Sequence, residues 1–273
     1  MKNVMGCIYV LLLLQCPAAA HEFWLAPQKF SYQAGEKVFL RWQVGEDFAG
    51  TNWGGNKEKA VMLRAFTNNY FYSLQPLMTE VKGDSVKLDT LNFAGNYTIA
   101  YQGSNSFIRI AADSFNRYLA EDGLANVIQW RNENGKDTAA GREYYQRCAK
   151  TLIRVKSTMK KSDYMKSSFV ANAAGLALEI IPMDNPYNLK EPGTIPFNIY
   201  FQGRPVRDGL ARVWHRVNGK TEVKTLQVIK GLVELPIDPT GTWMLSLVKM
   251  EPVKNDPAAD WQSYWSSITW GYE

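Results

Sequence analysis

Apolar residues run together once near the start of the chain and then fall into short, strand-length bursts. Residues 4–14 form the early run, with Lys2 before it and Pro17 and Ala18-Ala19-Ala20 after it. Positive, apolar and small residues in that order read as a secretory signal with cleavage after Ala20. Past Phe30 the pattern changes period. Residues 37–44 alternate in part and are rich in β-branched and aromatic side chains, with Gly35 and Gly45 as turns at either end. Residues 59–66, 70–74, 85–88, 93–101 and 106–111 repeat that texture. From Asp113 the spacing becomes helical. Asp113 or Ser114 suits a cap, Gly123 a stop, and Leu124, Val127 and Ile128 a second helix. Residues 142–152 read as a third helix, although 151–155 suit a strand equally. Strand patterns return at residues 174–182, 194–202, 210–217, 221–229, 232–235, 243–248 and 267–270. Pro196 suggests an edge strand. Asn218-Gly219 between two such runs is the strongest hairpin signal in the chain.

The two strand-rich halves resemble each other. Ala34-Gly35-Glu36-Lys37-Val38 matches Pro192-Gly193-Thr194-Ile195-Pro196, and Gly95-Asn96-Tyr97-Thr98-Ile99 matches Gly241-Thr242-Trp243-Met244-Leu245. The expected fold is mainly β: two tandem immunoglobulin-like or transthyretin-like antiparallel β-sandwiches with a short helical insertion between them. The boundaries read 1–20 signal peptide, 21–112 N-terminal sandwich, 113–172 helical and loop insertion, and 173–273 C-terminal sandwich.

Charge and cysteine content narrow the function. The chain has 31 basic and 26 acidic residues, net +5, and loss of the signal removes only Lys2, leaving +4. That excess is scattered, which argues against a nucleic-acid partner. Cys7 and Cys16 fall in the signal, so Cys148 alone remains and no intrachain disulfide is expected. Gln15 before Cys16 departs from a lipoprotein signal, and no later apolar stretch reaches the ~20 residues of a membrane span. A periplasmic or secreted product follows.

Candidate chemistry starts at the expected new terminus. After cleavage His21 offers an α-amine and an imidazole that close one chelate ring on a metal, titrating near about 8 and about 6.5. His215 is the other histidine of the mature chain. Together they make a T-shaped nitrogen set suited to Cu(II) or Ni(II). Glu121, in the helical insertion, is a third candidate ligand, while Glu22 is expected to face away from His21 as its strand neighbour. Asp260 reads as the cap of a turn. Nucleophile elbow, phosphate loop, dinucleotide fingerprint and His-Glu-x-x-His are all missing, so catalytic residues are not expected. The tryptophans leave open a non-catalytic module for glycan or a partner protein, with Trp53 its platform residue. A terminal-histidine copper oxidoreductase is a further alternative.

Several segments carry a family resemblance: His21-Glu22-Phe23-Trp24-Leu25, Val44-Gly45-Glu46-Asp47-Phe48, Arg117-Tyr118-Leu119-Ala120-Glu121-Asp122-Gly123-Leu124, Val213-Trp214-His215-Arg216 and Asp260-Trp261-Gln262-Ser263-Tyr264-Trp265. In these the chain resembles an exported bacterial family of unknown function described as a nickel-uptake substrate-specific region, a periplasmic component of cobalt-nickel transport. The resemblance implies a divalent metal cofactor (nickel, cobalt or copper), the terminal histidine as ligand, and a membrane transporter or outer-membrane receptor as partner. Without a span of its own after the signal, the chain suits delivery or sensing better than transport.

Overall fold

The computed structural model describes residues 22–53, 57–67, 71–78, 86–88, 91, 94–156 and 173–272. The expected signal segment, with Cys16, and His21 lie outside them, as do residues 157–168 of the basic stretch.

The first half supplies β1 (Glu22–Pro27), β2 (Ser31–Gln33), β3 (Val38–Glu46), β4 (Ala49–Asn52), β5 (Ala60–Phe66), β6 (Phe71–Ser73), β7 (Val86–Leu88), β8 (Gly95–Gly103) and β9 (Ser106–Ile110). Helices α1 (Ala112–Glu121) and α2 (Ala125–Glu133) follow, then the long strand β10 (Gly141–Lys156). The second half supplies β11 (Leu178–Pro182), β12 (Gly193–Phe201), β13 (Arg204–Pro205), β14 (Asp208–Val217), β15 (Lys220–Ile229), β16 (Leu232–Ile237), β17 (Gly241–Pro252) and β18 (Trp261–Tyr272).

Two sandwiches result, as the strand patterns predict. A small sheet, β1-β3-β4 with β7 on β3, covers the β5, β8 and β10 part of a long sheet. Phe23, Leu25, Leu40 and Trp42 from one layer bury against Leu63, Ile99, Tyr101 and Ile153 from the other. In the second half the long sheet folds back through the β15–β16 hairpin. Ile180, Phe197 and Leu235 then close on Val213, Leu245 and Trp270. The Asn218-Gly219 turn is where expected, with both residues at positive φ, 50° and 78°, as a two-residue hairpin of this type requires. Pro196 lies in β12 between β11 and β16; its carbonyl accepts from the Met183 N–H at 2.8 Å, and the missing proline N–H falls where β11 ends.

Residues 142–152 are strand rather than helix. β10 pairs in parallel with β18 from Glu143 to Thr151 and antiparallel with β9 and β8 on its other edge. It is the seam that makes one sheet of the two halves. Flanked on both edges and covered on both faces along its middle, it shows none of the alternation that marks a half-exposed strand. Of the expected 113–172 insertion, the helices end at Glu133, β10 takes residues 141–156, and 157–172 lie outside the described residues. Helix α1 begins one residue before Asp113, without a side-chain cap. Asp113 instead sits in its first turn, where the helix dipole favours an acid.

Lys150 is a charged residue at the centre of this seam, 1% exposed. Its ammonium lies 2.8 Å from the Glu179 carboxylate, which also accepts the backbone N–H groups of Ala174, Gly175 and Leu176. Burial draws the lysine pKa down. Losing the carboxylate orphans an ammonium and three amides; losing the lysine leaves the carboxylate its three amides. Glu179→Leu is therefore expected to destabilise by about 3–5 kcal/mol, the range for breaking a buried pair, and Lys150→Met by distinctly less. Urea denaturation measures both, and equal losses would contradict this division.

Candidate functional site

The site is built where β1 crosses the C-terminal sandwich. β1 is the edge of its sheet, and its outward carbonyls need donors. Ser267 donates to the Phe23 carbonyl and Thr269 to the Leu25 carbonyl, each at 2.7 Å. Those hydroxyls fix β1 along β18 and carry Glu22 over β14 and β17. On β14, alternation puts Arg212, Trp214 and Arg216 on the face toward β1, with Val213 and His215 on the opposite face. Trp24 packs with Trp214 and Met244 there.

Arg212 gathers the charges. Its guanidinium lies 3.6 Å from Glu22 and 3.1 Å from Asp122, and donates to the Glu121 carbonyl at 2.7 Å. Glu22 also hydrogen-bonds Ser246. Asp122 arrives from α1, whose buried face is Phe115, Tyr118, Leu119 and, one turn on, Asp122. Gly123 stops the helix at φ 68°, and a Cβ there would stand 2.5 Å from Leu210. The absence of that methyl seats the helix end directly against β14, within reach of Arg212.

Behind Asp122 a third buried acid, Glu143 of β10, accepts from Tyr118 at 3.3 Å and from Ser263. Trp265 donates to the Ser263 hydroxyl and its ring stacks on Tyr118. Burial raises all three carboxyls. Glu22 is pushed to about 7, with Arg212 opposing. Asp122 goes to about 8, with Arg212 opposing and Glu22, Glu121 and Glu143 adding to the rise. Glu143 reaches about 7. One guanidinium serves two carboxylates, and Asp122 Oδ2 and Glu143 Oε2 have no hydrogen-bond partner among the described residues. Near neutrality such a cluster holds protons.

The expected ligands are placed differently from one another. Glu121 is exposed at the end of α1 and contributes its carbonyl, while its neighbour Asp122 supplies the buried carboxylate. Glu22, expected to face away from His21, is buried beside Arg212. His215 lies on the face of β14 away from Arg212. Its ring stacks on Trp243 at 3.7 Å and its Nε2 faces the Thr240 carbonyl at 3.0 Å, so Nε2 carries the proton. It lines a small pocket of about 150 Å³ with Glu222 and Lys224. Among the described residues no three His, Cys, Asp or Glu side chains converge as a metal ion requires. Asp260 forms a two-point ion pair with Arg142 rather than a cap. Trp53 is half-buried against Phe23 and Tyr101, with Arg147 over its ring. Cys148 is free and buried, its thiol pushed up to about 12 by burial.

Asp122, Arg212 and Glu143 escape the sequence reading. For Asp122 a signal exists: it continues the Phe115, Tyr118, Leu119 stripe at helical spacing, whereas Glu121 does not. Arg212 and Glu143 are brought in by β14 and β10 from distant parts of the chain.

Fold and site together define a two-sandwich β protein with a buried acid–arginine cluster at the head of its first strand. The chain belongs to the family named Domain of unknown function (DUF4198), whose model matches residues 18–251. No curated protein matches it. No helix among the described residues is long and apolar enough to cross a membrane.

The raised carboxyls set a pH dependence. Between their ordinary values and 7–8 the folded protein holds protons that the unfolded chain has released, so stability falls as pH rises through that window. Each such proton contributes a slope of about 1.4 kcal/mol per pH unit. Asp122→Asn, which keeps the shape and cannot ionise, is expected to flatten the decline of Tm between pH 5 and 8. An unchanged profile would show that Asp122 ionises freely.

Proposed function

We propose that the protein binds a divalent transition metal in the periplasm, nickel or cobalt with copper as the alternative, and contributes to its uptake or delivery. The ligands in this reading are the α-amine and imidazole of His21, exposed by cleavage after Ala20. One observation carries it: one residue beyond His21, Glu22 and Asp122 share a single guanidinium, and Asp122 keeps a buried oxygen without a donor among the described residues. A buried cluster with more carboxylate than counter-charge suits a dication, which relieves the same burial that raises its carboxyls. Its donors are oxygen and, from His21, nitrogen, a set that first-row divalent ions accept. The family match extends across His21, beginning at residue 18. His215, on the far face of β14, has no part in this reading.

The protein's residues do three things here. Glu22 and Asp122 offset the charge of the ion, Arg212 holds both carboxylates in place, and the Ser267 and Thr269 hydroxyls fix the strand that begins beside the cluster. Relative affinity in vitro follows the general order of divalent ions, so the metal in the cell is set by supply.

Calorimetric titration of Ni(II), Co(II) and Cu(II) tests the reading, with protein purified after export and its first residue checked by mass spectrometry. One-to-one binding is expected, lost or weakened more than tenfold when one extra residue precedes His21. Affinity should rise from pH 6 to pH 8, because amine, imidazole and carboxyls must all release protons to the buffer. Equal binding by native and extended forms would overturn the role of His21.

A further inference from the structure

A second site lies on the same face of the C-terminal sandwich, farther along β1. A cleft of about 580 Å³ opens between β1 and β3 on one side and β14, β17 and β18 on the other. Its walls include Trp24, Phe39 and Phe48, its polar groups Thr242, and its charges Arg41 and Arg216; among the described residues no Asp or Glu lines it. The size is that of a small-molecule pocket. The charge is one-sided. Arg216 donates to the Phe48 carbonyl at 3.1 Å, which uses one of its five N–H groups. Neither it nor Arg41 is paired with a carboxylate among the described residues, although the chain as a whole carries 26 acids.

The turn between β3 and β4 is shaped toward this cleft. Asp47 and Phe48 are the two central residues of this hairpin, and both have positive φ, 53° and 56°, as such a two-residue turn requires. The C-terminal sandwich holds it from outside: Arg216 binds the Phe48 carbonyl, and Thr221 binds that of Asp47 at 2.9 Å. The Phe48 ring is thereby set edge-on to Trp24 at 5.9 Å, in the cleft wall.

We propose that this cleft binds a small organic carboxylate with a flat apolar body. The carboxylate is taken by the free guanidinium donors of Arg41 and Arg216, a match of fork to fork, and the body lies against Phe39 and Phe48. This site uses no residue of the acid cluster and does not depend on metal binding.

Titration of 2-naphthoate into the full exported protein, with chelator present, tests it. Arg41 is exposed and without a side-chain partner among the described residues, so Arg41→Gln should leave the fold and Tm unchanged. Naphthoate is expected to bind one-to-one and to lose about tenfold or more in affinity in Arg41→Gln, with Arg41→Lys recovering part of the loss. Failure of naphthoate to bind, or equal binding by Arg41→Gln, would overturn the proposal. Equally tight binding of neutral 2-naphthamide would remove its charge component, and equally tight inorganic phosphate its apolar component; either result also overturns it.

Discussion

Two hydroxyl-to-carbonyl hydrogen bonds hold the arrangement together at its most exposed point. β1 is an edge strand, and an edge strand with unmet carbonyls is open to slippage and to pairing with another chain. Ser267 and Thr269, alternate residues of β18, meet the carbonyls of Phe23 and Leu25. Because both hydroxyls come from one strand, they set the register of β1 against the C-terminal sandwich. Everything near the head of the chain follows from that register. Glu22 falls over Arg212, Trp24 over Trp214 and Met244, and the cleft opens where β1 and β3 diverge from β14, β17 and β18.

The same crossing explains how one small region holds two sites of opposite character. Toward the head of β1, burial concentrates acids: Glu22, Asp122 and Glu143 come from three separate elements and find one arginine between the first two. Toward its tail the lining is cationic and aromatic, with Arg41 from β3 and Arg216 from β14. The C-terminal strands contribute an arginine to each, two turns of alternation apart on β14. Neither site belongs to one sandwich alone, and the parallel seam between β10 and β18, with Lys150 and Glu179 buried beside it, keeps the two halves in a fixed relation.

Much of the fold is legible in the sequence because strands and turns are local. Asn218-Gly219 marks its hairpin without reference to the rest of the chain, and the short alternating runs predict two sandwiches. β10 is the exception. Its parallel partner β18 lies more than a hundred residues away, and its burial on both faces along its middle removes the period that would identify it as a strand. The candidate site is legible only in outline. The sequence reading points to Glu121, whereas the buried acid of that segment is Asp122, which shares the helical stripe of Phe115, Tyr118 and Leu119. Arg212 and Glu143 have no local mark, since their roles arise from the crossing of β1 over β14 and from the seam. Of the expected pair His21 and His215, only His215 falls among the described residues; odd and even positions of β14 face opposite ways, and His215 is on the side of Trp243.

The central claim is that a metal sits at the head of β1, beside Glu22 and Asp122, with one histidine in its coordination shell. X-ray absorption at the nickel edge of the Ni(II)-loaded protein, its first residue checked by mass spectrometry, measures this directly. The account predicts nitrogen and oxygen neighbours with the outer-shell scattering of a single imidazole, unchanged in His215→Gln. Scattering from two imidazoles, reduced to one by His215→Gln, or a sulfur neighbour from Cys148, would contradict it.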